Sequence, residues 1–556
     1  MATTLSSFLK PLNLDPAKLT NLTLEFRKTF EELAFDSSQQ FLPTPITLPE
    51  HIQEFNGLVL AIDVGGSHLR VGLFGGAGEA EISLVDGGDY KVIPEDIKAG
   101  TAEGLFSFIG KHVVSVLQSY EDGVSHNGGE PTDTNDGSAK DRLGSSLPVG
   151  VTFSFPMIQH SIGEATLMPL GKGFTMKPGQ KLDELLLAGY EEHARGIPTS
   201  INRTDGCTNG NGHHRNCGEV LPRLTIKAIT NDTIATLIAG RHFSSPDDYK
   251  SLQPKTTNQD TILGLILATG MNATIALPYF ALLSTKTSSP ILPSTKTTSE
   301  TKQRILVNTE LSIRGTSPPL QTLNIITPWD TVLDKSTASP GFQPLEYLTS
   351  GRYLGELVRL IFIDWLVNVQ NFSLQSLPPR LLRPWILTTE YLSTVVAVSN
   401  SSRKLAERLT QDFPSTTPST ANAFTWSPQQ TETLSTIAQQ VQIRSSRLIG
   451  AACIALLLLS GDIQLKARQS PQSSNIKPNR SSKESKEIAI AYTGAVIEKY
   501  PMYLATCQET IDALFYSLCN NDDGVERIVM NKVMEGGLKG AALLAVGELV
   551  KEERQM

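Results

Sequence analysis

The clearest pattern of hydrophobic and polar positions lies at residues 58–74, LVLAIDVGGSHLRVGLF. Leu58, Leu60 and Ile62 alternate with Val59, Ala61 and Asp63, and nearly all are apolar, as in a strand buried on both faces. Gly65 and Gly66 supply a turn, and Val71, Leu73 and Phe74 read as the returning strand of a hairpin. Upstream, Leu19, Leu22, Phe26, Phe30 and Leu33 recur at helical spacing within 16–35, and a Pro-rich connector follows at 42–49. Residues 97–117 carry a second helical pattern, and VGVTFSF at 149–155 is the next strand. The stretch 224–239, LTIKAITNDTIATLIA, switches from strand to helix at Asn231-Asp232. Further strands are expected within 263–268, 306–315 and 488–495, a long helix around 345–365, and a helix opened by a glycine turn after Gly536. No internal repeat is visible. Short apolar strands ending in glycine turns, with helices between them, predict an α/β protein of two lobes.

Four polar stretches interrupt this pattern, at 121–146, 202–218, 401–422 and 466–488, and read as insertions outside the cores. The second holds Cys207, His213, His214 and Cys217, residue types that bind zinc. The adjacent histidines and the spacing match no common zinc motif, which favours a plain polar loop. The most apolar run, LIGAACIALLLL at 448–459, is too short to span a bilayer and reads as a buried core helix, so no membrane span is expected.

Composition narrows the function classes. A chain of 556 residues has room for two or more sizeable cores. Net charge is −8, which argues against a nucleic-acid binder working by phosphate neutralisation. Five cysteines, odd in number and sparse, fit a reducing compartment better than a disulfide scaffold. The first residues, MATTLSSFLK, lack a secretory pattern, so a cytoplasmic location is expected; being Ser/Thr-rich and free of acid, they leave mitochondrial association open, and nuclear association is open too.

The 58–74 hairpin also carries candidate chemistry. Backbone amides of Gly65, Gly66 and Ser67 can converge on a phosphate, Arg70 can add a charge-assisted fork, and Asp63 can hold a metal through water. No Gly-Lys-Ser/Thr follows, so the turn is not a Walker loop. At Asn231-Asp232 the plain role is capping of the helix that follows, and the chemical one is a carboxylate proton acceptor.

Taken together, AIDVGGSHLRVGLF, TFSFP, GKGF, ITNDTIATLIAG, ATGMNA, NTE, SPGFQPLEYLTSGRYLGELVRL and a late TGA turn occur in the order found in hexokinases. The chain resembles a fungal-type hexokinase or hexokinase-like protein over most of residues 16–550. The resemblance implies two actin-like (ribonuclease-H-like) α/β lobes, with sugar and ATP in the cleft between them. It divides the chain into an N-terminal helix and connector at 1–56, a small lobe at 57–229, a large lobe at 230–538 and a terminal helix at 539–556 that returns to the small lobe. Asp232 matches the family's catalytic base, and Lys172 matches the loop lysine that meets both sugar and phosphoryl group. Ser154, Asn231, Asn272, Glu310 and Glu346 match the other hydroxyl-binding residues. Asp63, Gly65, Gly66, Ser67, Arg70, Thr269, Gly270 and Gly494 match the nucleotide side, and Asp63 and Asp232 the water-mediated Mg²⁺ contacts.

That nucleotide side departs from the family pattern. His68-Leu69 stands where Asn-Phe is usual, and Ala268-Thr269-Gly270 replaces Gly-Thr-Gly, adding a Cβ where phosphate approaches. Gly171 replaces a sugar-binding Thr, Tyr492-Thr493-Gly494 replaces Val-Asp-Gly, and the terminal turn is Gly536-Gly537-Leu538-Lys539-Gly540. Two readings follow. One is an ATP- and Mg²⁺-dependent hexose 6-phosphotransferase. The other is a sugar-binding regulatory protein with weak or no transfer activity, whose polar insertions serve protein partners. An actin-like ATPase or chaperone shares the fold but does not require the sugar set.

Overall fold

The computed structural model describes residues 3–77, 82–126, 143–155, 157–168, 177–194, 221–242, 259–282, 286, 304–415, 424–466, 486–520 and 524–556. The chain divides into two compact units. The first comprises residues 44–256, 290–294 and 533–556, and the second 1–43, 257–289 and 295–532. The N-terminal helix α1 (Pro16–Asp36) and the short strand β1 (Leu42–Pro43) belong to the second. Asp15 caps α1 by accepting the Lys18 N–H at 2.8 Å, Pro16 occupies the first turn, and Leu19, Leu22, Phe26 and Phe30 form its buried stripe.

The first unit is built on β2 (Asn56–Val64), β3 (His68–Ala77), β4 (Ser83–Val92) and β5 (Ser146–Phe153), with a small hairpin of β6 (Met157–Gln159) and β7 (Ala165–Leu167), and then β8 (Arg223–Thr230). The five-stranded sheet runs β4-β3-β2-β5-β8. Strands β2, β3 and β4 pair antiparallel, and β2, β5 and β8 pair parallel. The expected hairpin is present, with Asp63 opposite Arg70 and Val64 opposite Leu69. Helices α2 (Ala102–His126) and α3 (Leu182–Ala194) contribute Leu105, Phe106, Ile109, Leu182 and Leu186 to the core beside the sheet. Helix α4 (Asp232–His242) starts directly after β8, and the C-terminal helix Gly536–Gln555 packs against it and against β2 and β5.

The second unit contains β9 (Gln259–Leu267), β10 (Met271–Pro278), β11 (Arg304–Asn308), β12 (Lys486–Thr493) and β13 (Val525–Lys532). Its sheet runs β1-β11-β10-β9-β12-β13. Apart from the β1 edge, this is the order of the first sheet: three antiparallel strands and then two parallel ones. Besides α1, its helices include α5 (Pro344–Thr349), α6 (Leu354–Asp364), α7 (Ser402–Asp412), α8 (Pro428–Ser460) and α9 (Tyr503–Leu518). By length and composition α8 is apolar enough to cross a membrane, but 83% of its most apolar window is buried inside the protein, as a core helix requires.

Three sequence expectations change. The single helix around 345–365 is two, α5 and α6, broken at 350–353. There the Gly351 and Arg352 N–H groups donate to the carbonyls of Ala268 (2.8 Å) and Thr269 (3.2 Å), so bonds to the β9–β10 turn replace helical ones. Much of the 401–422 stretch is α7, with Leu405, Ala406 and Leu409 buried on one face and Ser401 accepting the Lys404 N–H as its cap. The boundary expected at 229/230 falls instead after residue 256, because α4 packs with the first unit, and the C-terminal boundary lies at 532/533 rather than 538/539. Most of the remaining insertions lie outside the described residues, although α2 continues to His126. Cys207, His213, His214 and Cys217 lie outside them too.

Candidate functional site

In the first unit, candidate residues gather at the carboxyl ends of three neighbouring parallel strands, where open α/β sheets bind ligands. Asp63 lies near the end of β2, Ser154 follows β5, and Asn231 and Asp232 follow β8. The Ser154 N–H donates to the Val64 carbonyl at 3.0 Å and holds the two strand ends together. Asn231, not Asp232, caps α4: its Oδ1 accepts the Thr233 N–H at 2.8 Å and the Thr233 hydroxyl at 2.7 Å. That leaves the Asn231 amide nitrogen for a ligand oxygen. Asp232 occupies the first turn of α4, half-buried, and its carboxylate accepts no hydrogen bond from the described residues. The helix N-terminus favours its negative charge. It is thus equipped to accept a proton from a bound hydroxyl.

Asp63 is 5% exposed and paired with the Arg70 guanidinium at 2.7 Å. Burial pushes its carboxyl above the usual range; Arg70 works against the rise, and the nearby Asp232 and Glu535 carboxylates add to it. Arg70 also lies over the Tyr90 ring at 5.1 Å, and His68 stacks on the same ring at 4.8 Å. Expected as a fork for phosphate, Arg70 is already engaged by Asp63. In the turn itself, the Gly65 N–H closes the loop on the His68 carbonyl at 2.8 Å. The N–H groups of Gly66 and Ser67 make no hydrogen bond among the described residues and remain for an anion.

The second unit has a comparable but tighter turn between β9 and β10. Ala268 N–H donates to the Gly270 carbonyl at 2.9 Å, and the N–H groups of Thr269 and Gly270 are again unbonded among the described residues. Beside it lie three hydroxyl-binding candidates, two of them linked. Glu346, buried on α5, accepts the Met271 N–H at 3.1 Å. Asn272 donates from Nδ2 to Asn308 Oδ1 at 2.8 Å, and Asn308 donates from Nδ2 to Glu310 Oε1 at 2.9 Å. Asn308 therefore joins Asn272 to Glu310. Only the fold shows this role, although Asn308 opens the NTE motif.

Gly494 serves differently from expectation. Its N–H and the Thr493 hydroxyl both donate to Glu498 Oε1, at 2.8 and 3.0 Å, while Glu498 Oε2 pairs with Lys532 at 2.8 Å. Gly494 has φ +133°, and a Cβ there would fall 2.3 Å from the Leu267 carbonyl. Close packing of the β12 end on β9 requires glycine at this position. Nothing in the local sequence marks Glu498 as its partner. Lys172 and Gly171 lie outside the described residues.

Within the first unit the residues fit a phosphate group with magnesium: the Gly66 and Ser67 N–H groups, unbonded among the described residues, suit phosphate oxygens, and Asp63 and Asp232 carry the oxygen ligands that magnesium prefers to hold through water.

Two family models, both described as Hexokinase, match residues 4–242 and 262–547. Glucokinase-1 of Saccharomyces cerevisiae is 24% identical over 551 residues, covering 96% of this chain and 94% of that protein. The glucokinase of Aspergillus niger is 25% identical over 532 residues, covering 92% and 90%. Among solved structures, the hexokinase from Schistosoma mansoni complexed with glucose superposes with a TM-score of 0.64 at 21% identity, covering 98% of each chain, a likeness of fold. With its two-lobe α/β architecture, the chain belongs to the hexokinase family, phosphotransferases that use a hydroxyl group as acceptor.

Proposed function

We propose that this chain transfers the γ-phosphoryl group of ATP to the 6-hydroxyl of a hexose, glucose first and fructose or mannose as further substrates, the reaction that opens glycolysis. The observation that carries this reading is the Asp232 carboxylate, half-buried at the start of α4 and accepting no hydrogen bond from the described residues. It accepts the proton of the attacking hydroxyl. Asn272, Glu310 and Glu346 pair with sugar hydroxyls, with Asn308 fixing the first two, and Ser154, Asn231 and Lys172 add contacts. Gly66, Ser67, Thr269 and Gly270 offer N–H groups to the phosphates. Asp63 and Asp232 would hold magnesium through water, and the ion would supply positive charge against the phosphate oxygens.

A second reading, a hexose-binding regulatory protein with weak or no transfer, is favoured by specific contacts on the nucleotide side. Arg70 is engaged by Asp63, and Glu498 takes the Thr493 hydroxyl and the Gly494 N–H. A coupled phosphorylation assay with glucose and fructose, run beside a calorimetric glucose titration, separates the two. Turnover with saturable binding supports the kinase; binding without turnover supports the regulator. In either case Glu310→Ala should weaken glucose binding by about tenfold or more, the cost of losing a charged hydrogen-bond partner. Unchanged affinity would remove Glu310 from the sugar set.

A further inference from the structure

Glu310 has a left-handed backbone, φ +46°, which a side-chain-bearing residue rarely adopts unless its surroundings impose it. Its carbonyl accepts two hydrogen bonds, from the Ile313 N–H at 3.2 Å and from Gln40 Nε2 at 2.9 Å. Gln40 lies 270 residues away in sequence, in the segment between α1 and β1. Its carboxamide is 2% exposed and also approaches the Thr316 hydroxyl at 3.3 Å. Thr316 in turn donates to the Leu311 carbonyl at 2.8 Å, so Gln40 and Thr316 brace both residues of the Glu310-Leu311 step. The fit is close: a Cβ at Gly315 would fall 1.8 Å from Gln40 Oε1.

Gln40 is itself held. The Phe41 N–H donates to the Thr309 carbonyl at 3.1 Å, and Leu42 pairs with Asn308 across β1 and β11. The Lys286 ammonium sits among four carbonyls: those of Leu33 (3.0 Å) and Ala34 (2.8 Å) in the last turn of α1, and those of Gln40 (3.1 Å) and Phe41 (3.4 Å). A lysine at a helix C-terminus satisfies last-turn carbonyls, here that of Ala34 and, beside the Ser37 N–H, that of Leu33. Here it also binds the helix end to the residues that carry Gln40.

We propose that Gln40 is a positioning residue for sugar binding: its carboxamide, fitted against Gly315 while Lys286 anchors its backbone carbonyl, holds the Glu310 backbone in the one conformation that aims its carboxylate at a hexose hydroxyl. This rests on Glu310 belonging to the sugar set. An incidental buried glutamine would affect folding alone. A positioning residue affects recognition of sugar and leaves that of nucleotide intact.

Gln40→Met keeps the bulk and removes both N–H donors; Gly315→Ala leaves Gln40 in place chemically and displaces it. The readouts are glucose KM, MgATP KM and kcat, the glucose Kd by calorimetry, and the melting temperature without sugar. Both variants should raise the glucose KM and Kd by about tenfold, as expected when a buried acceptor loses its donor, with MgATP KM and kcat at saturating glucose within about twofold of wild type. Should Gln40→Met not fold, Gln40→Glu and Lys286→Met carry the same expectation. Unchanged glucose Kd in folded variants overturns the proposal, as does a parallel change in both KM values with a lowered melting temperature. If wild type binds glucose without turnover, the Kd values decide alone. If wild type binds no hexose, the sugar-site assignment fails first and this proposal falls with it.

Discussion

At the scale of single residues, Ala268 is the departure with the most direct consequence. It opens the β9–β10 turn, donating to the Gly270 carbonyl and accepting from the Gly351 N–H at 2.8 Å, so its backbone is fixed on both sides. Its methyl group stands on a turn whose neighbouring N–H groups are free to meet phosphate. Ala268→Gly should therefore lower the MgATP KM several-fold, leave the glucose KM within about twofold and cost about 0.4–1 kcal/mol of stability from added freedom in the unfolded chain. Steady-state kinetics with each substrate varied in turn checks this; an unchanged MgATP KM would show that the methyl is not the obstacle. The places of Ala268 and Asp232 in the fold are legible because they lie in local order, a glycine turn after a strand and an acid after an asparagine. Glu498 was not, since its role depends on a carboxylate reaching back to the Gly494 N–H and across to Lys532.

At the scale of elements, the sequence marks the β2–β3 hairpin and the β8–α4 switch well, because each joins two strong patterns at a turn residue. It marks α7 poorly. Three apolar residues, Leu405, Ala406 and Leu409, lie among Ser, Arg, Lys and Glu, so a polar composition hides an amphipathic face. The α5–α6 break was hidden for another reason: the 350–353 segment gives up helical bonds for tertiary ones with the β9–β10 turn. The end of α1 depends on Lys286 in the same tertiary way, and this has a pH signature. Burial lowers its pKa from 10.5 to about 8, against the pull of Asp36. Between about 8 and 10.5 the unfolded chain binds a proton that the folded chain has released, so Lys286 makes stability rise with pH across that window; below it both states are protonated and the contribution is flat. Urea unfolding of wild type and Lys286→Met should give a stability difference that grows in favour of wild type across that range. A difference independent of pH would contradict the burial of this ammonium.

At the scale of the whole molecule, two units share one strand order, β4-β3-β2-β5-β8 in one and β11-β10-β9-β12-β13 in the other. The sequence shows no such repeat, because the shared features are sheet order and a turn rather than residue identities: GlyGlySer at 65–67 answers AlaThrGly at 268–270. Each unit carries a distinct part of the proposed chemistry. The first holds Asp63, Asn231 and Asp232, and the second holds the Asn272–Asn308–Glu310 chain with Glu346. The placement of α4 in the first unit, against the boundary expected from sequence, gives the proposed base to the unit that also carries Asp63.

Asp232 as the base of a hexose phosphotransferase is the central claim, and phosphoryl transfer from MgATP to glucose by wild type and Asp232→Ala, measured with glucose affinity on the same samples, tests it most directly. Wild type should form sugar phosphate, and kcat should fall about 10²–10⁴-fold in the variant with glucose Kd changed far less, because the proton acceptor is removed while Asn272, Glu310 and Glu346 remain. Full turnover by Asp232→Ala, or glucose bound by wild type with no phosphate transferred, would contradict it.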